Sequence, residues 1–301
     1  MNKKVDEGGS LIFRWLGKFI RFIFRLGFTL ALIIICVYVD ARYIEPKVIW
    51  IKEEVIPTEK LSNGSKMKVV LFNDVHLGEY YSLSDFEKVV KKINALKPDI
   101  LIFAGDLVED NKTFTEEEGA TQLLGQLSAK YGKYAVFGNH DHGGNGTKRY
   151  ARMMQASGFT LLRNQQDSIT LENGEKVKLI GIDDIVLSKP DFKAAFEGVT
   201  GNTFNLFISH APDVVDKIID QPVDLQVSGH SHGGQVRLPF IGAPFTVPYG
   251  EKYIKGLYYP EEKEDMLLYV NSGIGTSQVP YRFLNLPEIT VLSIKGTAIK
   301  S

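Results

Sequence analysis

Five apolar runs in this chain each end in polar residues able to bind a metal, and together they use all six histidines of the sequence. They read "FNDVHLG" with Asp74 and His76, "DILIFAGDLVED" with Asp106, "FGNHDHGG" with Asn139, His140, Asp141 and His142, "FISHAPD" with His210, and "SGHSHGGQ" with His230 and His232. A β-rich apolar run passing into Gly, Pro or Asp is a strand turning into a loop. Imidazole and carboxylate suit Zn, Mn or Fe, so their repeated delivery to strand ends is the pattern of a multi-ligand metal site. A fold that serves this pattern must bring five strand ends to one place.

The remaining periodicity describes such a fold. "KVIWIKEEVIP" reads as a lead strand, "SNGSK" as a turn and "MKVVLFNDVH" as the first core strand. "SLSDFEKVVKKINALKPD" predicts an amphipathic helix capped by Ser84, buried through Phe86, Val89, Val90 and Ile93, and stopped by Pro98. A strand over 100–104, a helix near 115–129, a strand over 134–137 and a helix near 147–157 continue the alternation. "ITLENGEKVKLIGID" predicts a hairpin turning at Asn173-Gly174, and further strands follow over 204–208, 224–228, 266–271 and 288–294. Helices interleaved with unbroken apolar strands imply an α/β layered fold with sheets covered on both faces. Ligands of such sheets gather at the carboxyl ends of the strands, where all five polar segments fall.

The first residues are different in kind. "LIFRWLGKFIRFIFRLGFTLALIIICVYVDARY" places Arg14, Lys18, Arg21 and Arg25 along one helical face, and no charge follows from Leu26 to Val39. A bilayer span needs roughly 20 residues, reached if the helix starts at Phe19 and Arg21 and Arg25 snorkel. Basic residues before the span and Asp40 after it predict a cytoplasmic N-terminus and an extracytoplasmic remainder. The competing reading is a cleaved signal peptide; the large Tyr38 and the charged Asp40 around the possible cleavage point favour a retained anchor. The expected organisation is a basic segment and anchor over 1–45 and one catalytic-sized domain over 46–301.

Composition excludes several alternatives. Lys+Arg 35 against Asp+Glu 36 leaves a net charge of -1, which gives no electrostatic basis for nucleic-acid binding. The single cysteine, Cys36, excludes internal disulfides and a thiolate zinc cluster.

The ordered set D-x-H, G-D, G-N-H-D, S-H and G-H-x-H-G-G-Q, running from Asp74 to Gln235, resembles the calcineurin-like metallophosphoesterase superfamily. The C-terminal "NSGIGTSQVPYRFLNLPEI" resembles the tail of its membrane-associated bacterial branch. The resemblance implies an αββα metallophosphoesterase sandwich behind an N-terminal transmembrane helix, and a centre of two divalent metal ions, Mn, Zn or Fe. It assigns Asp74, His76 and His232 to one metal, Asn139, His210 and His230 to the other, and Asp106 to a bridge. Two metals about 3.5 to 4 Å apart generate a hydroxide nucleophile and neutralise phosphoryl charge. His140 would protonate the leaving oxygen, with Asp141 orienting its imidazole and raising its pKa. His142 has two readings, pocket lining or local hydrogen bonding.

Glycines at 138, 143, 144, 233 and 234 fit tight turns beside a metal. Asp183 and Asp184 read as solvated or turn-capping groups. Two positions depart from the family pattern: Asn73 stands where serine is common, and Ser272 where this branch often has arginine, which leaves Arg282 as a phosphate contact. The expected activity is hydrolysis of a phosphate ester at the outer face of a membrane. The alternatives are a pyrophosphatase acting on a lipid-linked or nucleotide-sugar diphosphate, and a metal-binding surface protein without turnover.

Overall fold

The computed structural model describes residues 5–298 except 262 and 264. The chain enters as a helix, α1 (Val5–Val39), and stays helical through a π turn to Ile44 and a 3-10 turn to Lys47. From Phe13 onward this stretch is long and apolar enough to cross a membrane, with a mean hydropathy of 2.4 in its most apolar window and none of that window buried.

The first half of the remainder alternates strand and helix: β1 (Trp50–Thr58), β2 (Lys66–Phe72), α2 (Leu83–Leu96), β3 (Ile100–Phe103), α3 (Glu117–Gly125), β4 (Lys133–Ala135), α4 (Asn139–His142), α5 (Thr147–Ala156) and β5 (Phe159–Leu161). The second half contains β6 (Gln165–Thr170), β7 (Lys176–Gly181), α6 (Phe192–Phe196), β8 (Phe204–Ile208), β9 (Leu225–Ser228), β10 (Gly256–Tyr258), β11 (Leu267–Val270) and β12 (Glu288–Gly296). Two sheets result, ordered β1-β12-β2-β3-β4-β5 and β10-β11-β9-β8-β7-β6. β2 to β5 run parallel, as do β7, β8, β9 and β11, while β6 and β10 close the second sheet as antiparallel edges.

Apolar side chains on alternate faces of these strands build the layers. Val69, Leu71, Ile100 and Ile102 pack across to Leu179, Leu206, Leu225 and Val227, so the sheets face each other over one dry core. The outer face of the first sheet, through Val70, Phe72, Leu101 and Phe103, is covered by α2, α3 and α5. Ile180, Phe207, Leu268 and Val270 of the second are covered by α6 and the 3-10 turn at Pro212–Lys217. The architecture is therefore αββα, the sandwich the resemblance implies and one form of the layered α/β fold the sequence pattern predicts.

α2 buries Phe86, Val89, Val90 and Ile93 as its period requires. Its cap is Ser82 rather than Ser84: Ser82 has extended backbone and its Oγ accepts the Asp85 amide at 3.3 Å, whereas Ser84 already lies inside the first turn. α3 is shorter than the expected 115–129 and ends at Gly125, a poor helix residue. β5 and β10 were not legible, since each has three residues and, unlike β4, no buried apolar run to mark it.

Candidate metal centre

The parallel strands β2, β3, β4, β8 and β9 carry their carboxyl ends to one edge of the sandwich, and there the chain reverses sharply. Asp74, His76, Asp106, His230 and His232 all have left-handed backbone, with φ between 49° and 68°. Side chains disfavour that region, at a cost of about 1–3 kcal/mol each, and it persists where surrounding bonds over-determine it. Here they do. His230 donates its backbone N–H to Asp74 Oδ2 at 2.9 Å, and the Asn73 side-chain amide donates to the same oxygen. Gly138 must lack a side chain, because a Cβ there would collide with the Asp106 carboxylate.

Two buried groups of side chains meet at this edge. In the first, Nε2 of His76 and Nε2 of His232 approach to 3.1 Å, each 4.0 Å from Asp74 Oδ1. In the second, His210 Nε2 lies 3.2 Å from Asp106 Oδ2, 3.1 Å from His230 Nδ1 and 3.1 Å from Asn139 Oδ1. Asp106 Oδ2 is also 3.7 Å from His76 Nε2, so this oxygen stands between the groups. Its partner Oδ1 is held outward by the His140 backbone N–H at 2.8 Å.

The backs of the rings show what the fronts are for. His210 Nδ1 is 2.7 Å from the Ala104 carbonyl, and His230 Nε2 is 2.8 Å from that of Pro248. Each of those nitrogens must carry the proton, which turns a lone pair of the other toward the centre, as outer-shell bonds do for metal-ligating histidines. Asp74 Oδ1 is buried with no hydrogen-bond partner. Converging lone pairs beside an unpartnered carboxylate oxygen are costly in a dry site unless a cation lies among them. An all N/O donor set suits Zn, Mn or Fe. The residues therefore fit a divalent metal.

The electrostatics favour positive charge at the same place, a proton on His210 or a cation in its stead. Burial alone would lower the His210 imidazole, but the Asp106 carboxylate overcomes it and brings His210 up to about 10. Burial and the neighbouring His210 charge push His230 down to about 4. Burial would raise Asp106, yet His210 and His140 hold it well below the usual carboxylate range. The cluster as built draws positive charge toward Asp106.

Residues 67–234 match the family model for calcineurin-like phosphoesterases. The chain belongs to that family. An uncharacterized metallophosphoesterase of Bacillus subtilis, YkuE, is 40% identical over 86% of this chain and 90% of its own length. The phosphodiesterase YaeI of Escherichia coli is 28% identical over 77% of this chain and 83% of its own. The UDP-2,3-diacylglucosamine pyrophosphatase LpxG of Chlamydia trachomatis is 28% identical over 78% and 85%. This chain is thus a phosphoric ester hydrolase of a metal-using family, and the expectation of a surface protein without turnover is set aside.

The fold of this phosphoesterase gathers Asp74, His76, Asp106, Asn139, His210, His230 and His232 at one point. His140 lies at the rim, its ring edge-on to His76 with centroids 4.6 Å apart, and it also falls within ligand distance of His76 and Asp106. Asp141 does not touch the His140 ring. Its carboxylate accepts backbone N–H groups of Asp106 and Gly138 at 2.8 Å and of Leu107 at 3.0 Å, because its side chain turns back under the loops at the ends of β3 and β4. Burial and the Asp106 charge push the Asp141 carboxyl up to about 7, against those three donors.

His142 bonds locally: Nε2 lies 2.8 Å from Asp183 Oδ1, Nδ1 lies 2.9 Å from Thr147 Oγ1, and the ring stacks on Phe137. Asp183 is accordingly a buried partner of His142 and Arg163 rather than a solvated group, while Asp184 caps a turn through the Leu187 N–H at 2.6 Å. Arg282 cannot meet phosphate. It is fully buried and spends its guanidinium on the carbonyls of Ser272, Gly273, Gly275 and Asn285. Ser272 is buried as well, donating to Glu288 at 3.1 Å.

Sequence reasoning missed Glu109. Its Oε2 lies 2.6 Å from His76 Nδ1, though not aligned as a regular hydrogen bond, and its backbone carbonyl lies 2.7 Å from His140 Nδ1. Burial would raise its carboxyl, but His76 brings it down to about 2. The signal was its place three residues after Asp106, on the same loop. Glu109→Gln keeps the carbonyl and removes only the charge behind His76. Metal affinity should fall about 10- to 100-fold, measured by competition with a chromophoric chelator, as for other outer-shell carboxylates. An unchanged affinity would mean that the side chain does not act through His76.

Proposed function

We propose that this phosphoesterase hydrolyses phosphate esters with a two-ion centre: Asp74, His76 and His232 hold one ion, Asn139, His210 and His230 the other, and Asp106 bridges them. The observation that carries this reading is the position of Asp106 Oδ2, 3.2 Å from His210 Nε2 and 3.7 Å from His76 Nε2. Ions bound there would activate water at neutral pH and neutralise the phosphoryl oxygens. Asn139 contributes a neutral oxygen, so the second group keeps more net positive charge for an anionic substrate.

His140 acts on the leaving oxygen. Its Nδ1–H is donated to the Glu109 carbonyl, which leaves Nε2 at the partly exposed rim, 3.5 Å from Ser277 Oγ. Burial would lower its pKa, but the Asp106 carboxylate, the Glu109 contacts and the Asp141 charge raise it, the direction that suits a proton donor. The positioning group is Glu109, and Asp141 instead fixes the loops carrying Asp106 and Asn139.

α1 serves as a single membrane span with Arg14, Lys18, Arg21 and Arg25 on the cytoplasmic side and residues 46–301 outside. A lipid-linked or nucleotide-sugar diphosphate is the favoured narrower substrate class, supported by the likeness to a diacylglucosamine pyrophosphatase.

The full chain, stripped with a chelator and titrated with Mn, Zn, Fe or Mg, tests the reading. Hydrolysis of bis(p-nitrophenyl) phosphate or a lipid diphosphate should return in proportion to a second equivalent of metal. Full activity at one equivalent would overturn the two-ion centre.

A further inference from the structure

The loop that follows His232 and returns through Pro248 is apolar and turned outward. From Leu238 to Gly250 it carries no charged residue, in a chain that is 24% charged. Its tip is closed by reciprocal backbone hydrogen bonds, Leu238 N–H to Gly242 O at 2.8 Å and Gly242 N–H to Leu238 O at 2.9 Å. Phe240 occupies the apex with φ 66° and its ring wholly exposed, and Ile241 and Phe245 are 71% and 78% exposed. A left-handed phenylalanine presented to water is unfavourable in backbone and side chain together, and clustered exposed apolar groups of this kind mark an interaction surface.

The base of the loop lies beside the apolar helix. Arg237 donates its backbone N–H to Phe283 O at 2.8 Å, and Phe283 donates to Gln235 O at 3.1 Å. The residues on either side of Phe283 are held by the end of the apolar helix: Arg282 N–H reaches Ala41 O at 2.9 Å, and Leu284 N–H reaches the Glu45 carboxylate at 2.8 Å. The lip therefore starts about two strand spacings, roughly 10 Å, from the point where α1 ends. Tyr38 and Tyr281 pack together at the same point, centroids 6.1 Å apart, and exposed Tyr43 and Trp50 follow, aromatic residues of the type that settle at a membrane interface. The same lip is tied to the metal groups. It follows His232 and returns through Pro248, whose carbonyl holds His230 Nε2 at 2.8 Å.

We propose that residues 238–245 form a lip that inserts into the bilayer beside α1, so that the metal site takes phosphate esters whose alcohol stays anchored in lipid. This rests on the reading of α1 as a membrane span and deepens the proposed substrate class. Phe240, Ile241 and Phe245 enter the acyl boundary, burying apolar area as interfacial segments do. The phosphate then reaches the ions without its hydrocarbon leaving the membrane.

The test uses the full chain in phosphatidylcholine and phosphatidylglycerol vesicles, with Cys36→Ser and Phe240→Cys giving one site for a nitroxide label. The label should collide with dissolved oxygen and be shielded from a water-soluble nickel chelate. Free access of the chelate would overturn the proposal. Shielding from both reagents with dipolar broadening between labels would assign the surface to a second copy of the chain and overturn it equally. A triple variant, Phe240→Ser, Ile241→Ser and Phe245→Ser, provides the second measurement. Its hydrolysis of soluble methyl p-nitrophenyl phosphate should match the parent, while hydrolysis of hexadecyl p-nitrophenyl phosphate held in vesicles should fall at least about tenfold. An equal effect on both esters would sink the lip. Failure of the parent to cleave either ester would instead sink the hydrolytic reading, and the nitroxide result would still decide where the lip lies.

Discussion

His140→Ala should lower turnover about 10²- to 10⁴-fold while sparing metal content, because the task proposed for this imidazole is to meet charge on a departing oxygen present only during reaction. The loss should depend on the leaving group. A nitrophenolate departs without a proton, whereas a sugar or lipid alkoxide needs one, so alkyl esters should suffer more than aryl esters. Rates for a series of esters of graded leaving-group pKa, with elemental analysis of the purified variant, measure both points. Loss of metal, or an equal loss across the series, would make His140 a ligand or a structural residue. Asp141→Asn separates the two neighbours. Its carboxylate accepts three backbone N–H groups and no imidazole, so the variant should lose stability or metal affinity without a leaving-group trend.

Asp106→Asn should empty both halves of the centre together, with activity falling on the order of 10³-fold or more, equivalent to about 4 kcal/mol of transition-state stabilisation. Asp106 Oδ2 lies between the two groups, and its charge holds His210 protonatable and its surroundings attractive to cations. Asn139→Ala removes one neutral oxygen beside His210 and should affect mainly one ion. Metal-to-protein ratios after identical dialysis decide it. Two retained ions in purified Asp106→Asn would end the bridging assignment.

The sandwich was legible because parallel strands buried on both faces must be apolar throughout, and runs such as Ile100 to Phe103 are. The gathering of the site was legible for the same reason: parallel strands share a carboxyl edge, and the polar residues sat there. What the sequence could not show was direction. Asp141 and His140 are neighbours in the chain, yet the short helix α4 turns the carboxylate under the loops and the imidazole outward. Glu109 was hidden because its use comes from a loop crossing toward His76, not from any spacing near a histidine motif. Arg282 looked free in the sequence and is enclosed in the fold, where a ring of carbonyls satisfies it.

The left-handed turns at Asp74, His76, Asp106, His230 and His232 also bear on how the protein responds to its surroundings. Five such turns withhold several kcal/mol, about the size of the net stability of an ordinary domain. Ions that bind only the folded chain offset the strain by mass action, and stability then follows free metal concentration logarithmically. Folding and metal supply become one equilibrium. In a compartment where metal runs short, the melting temperature would report the shortage, and the loss of activity and the loss of the protein itself would share a cause.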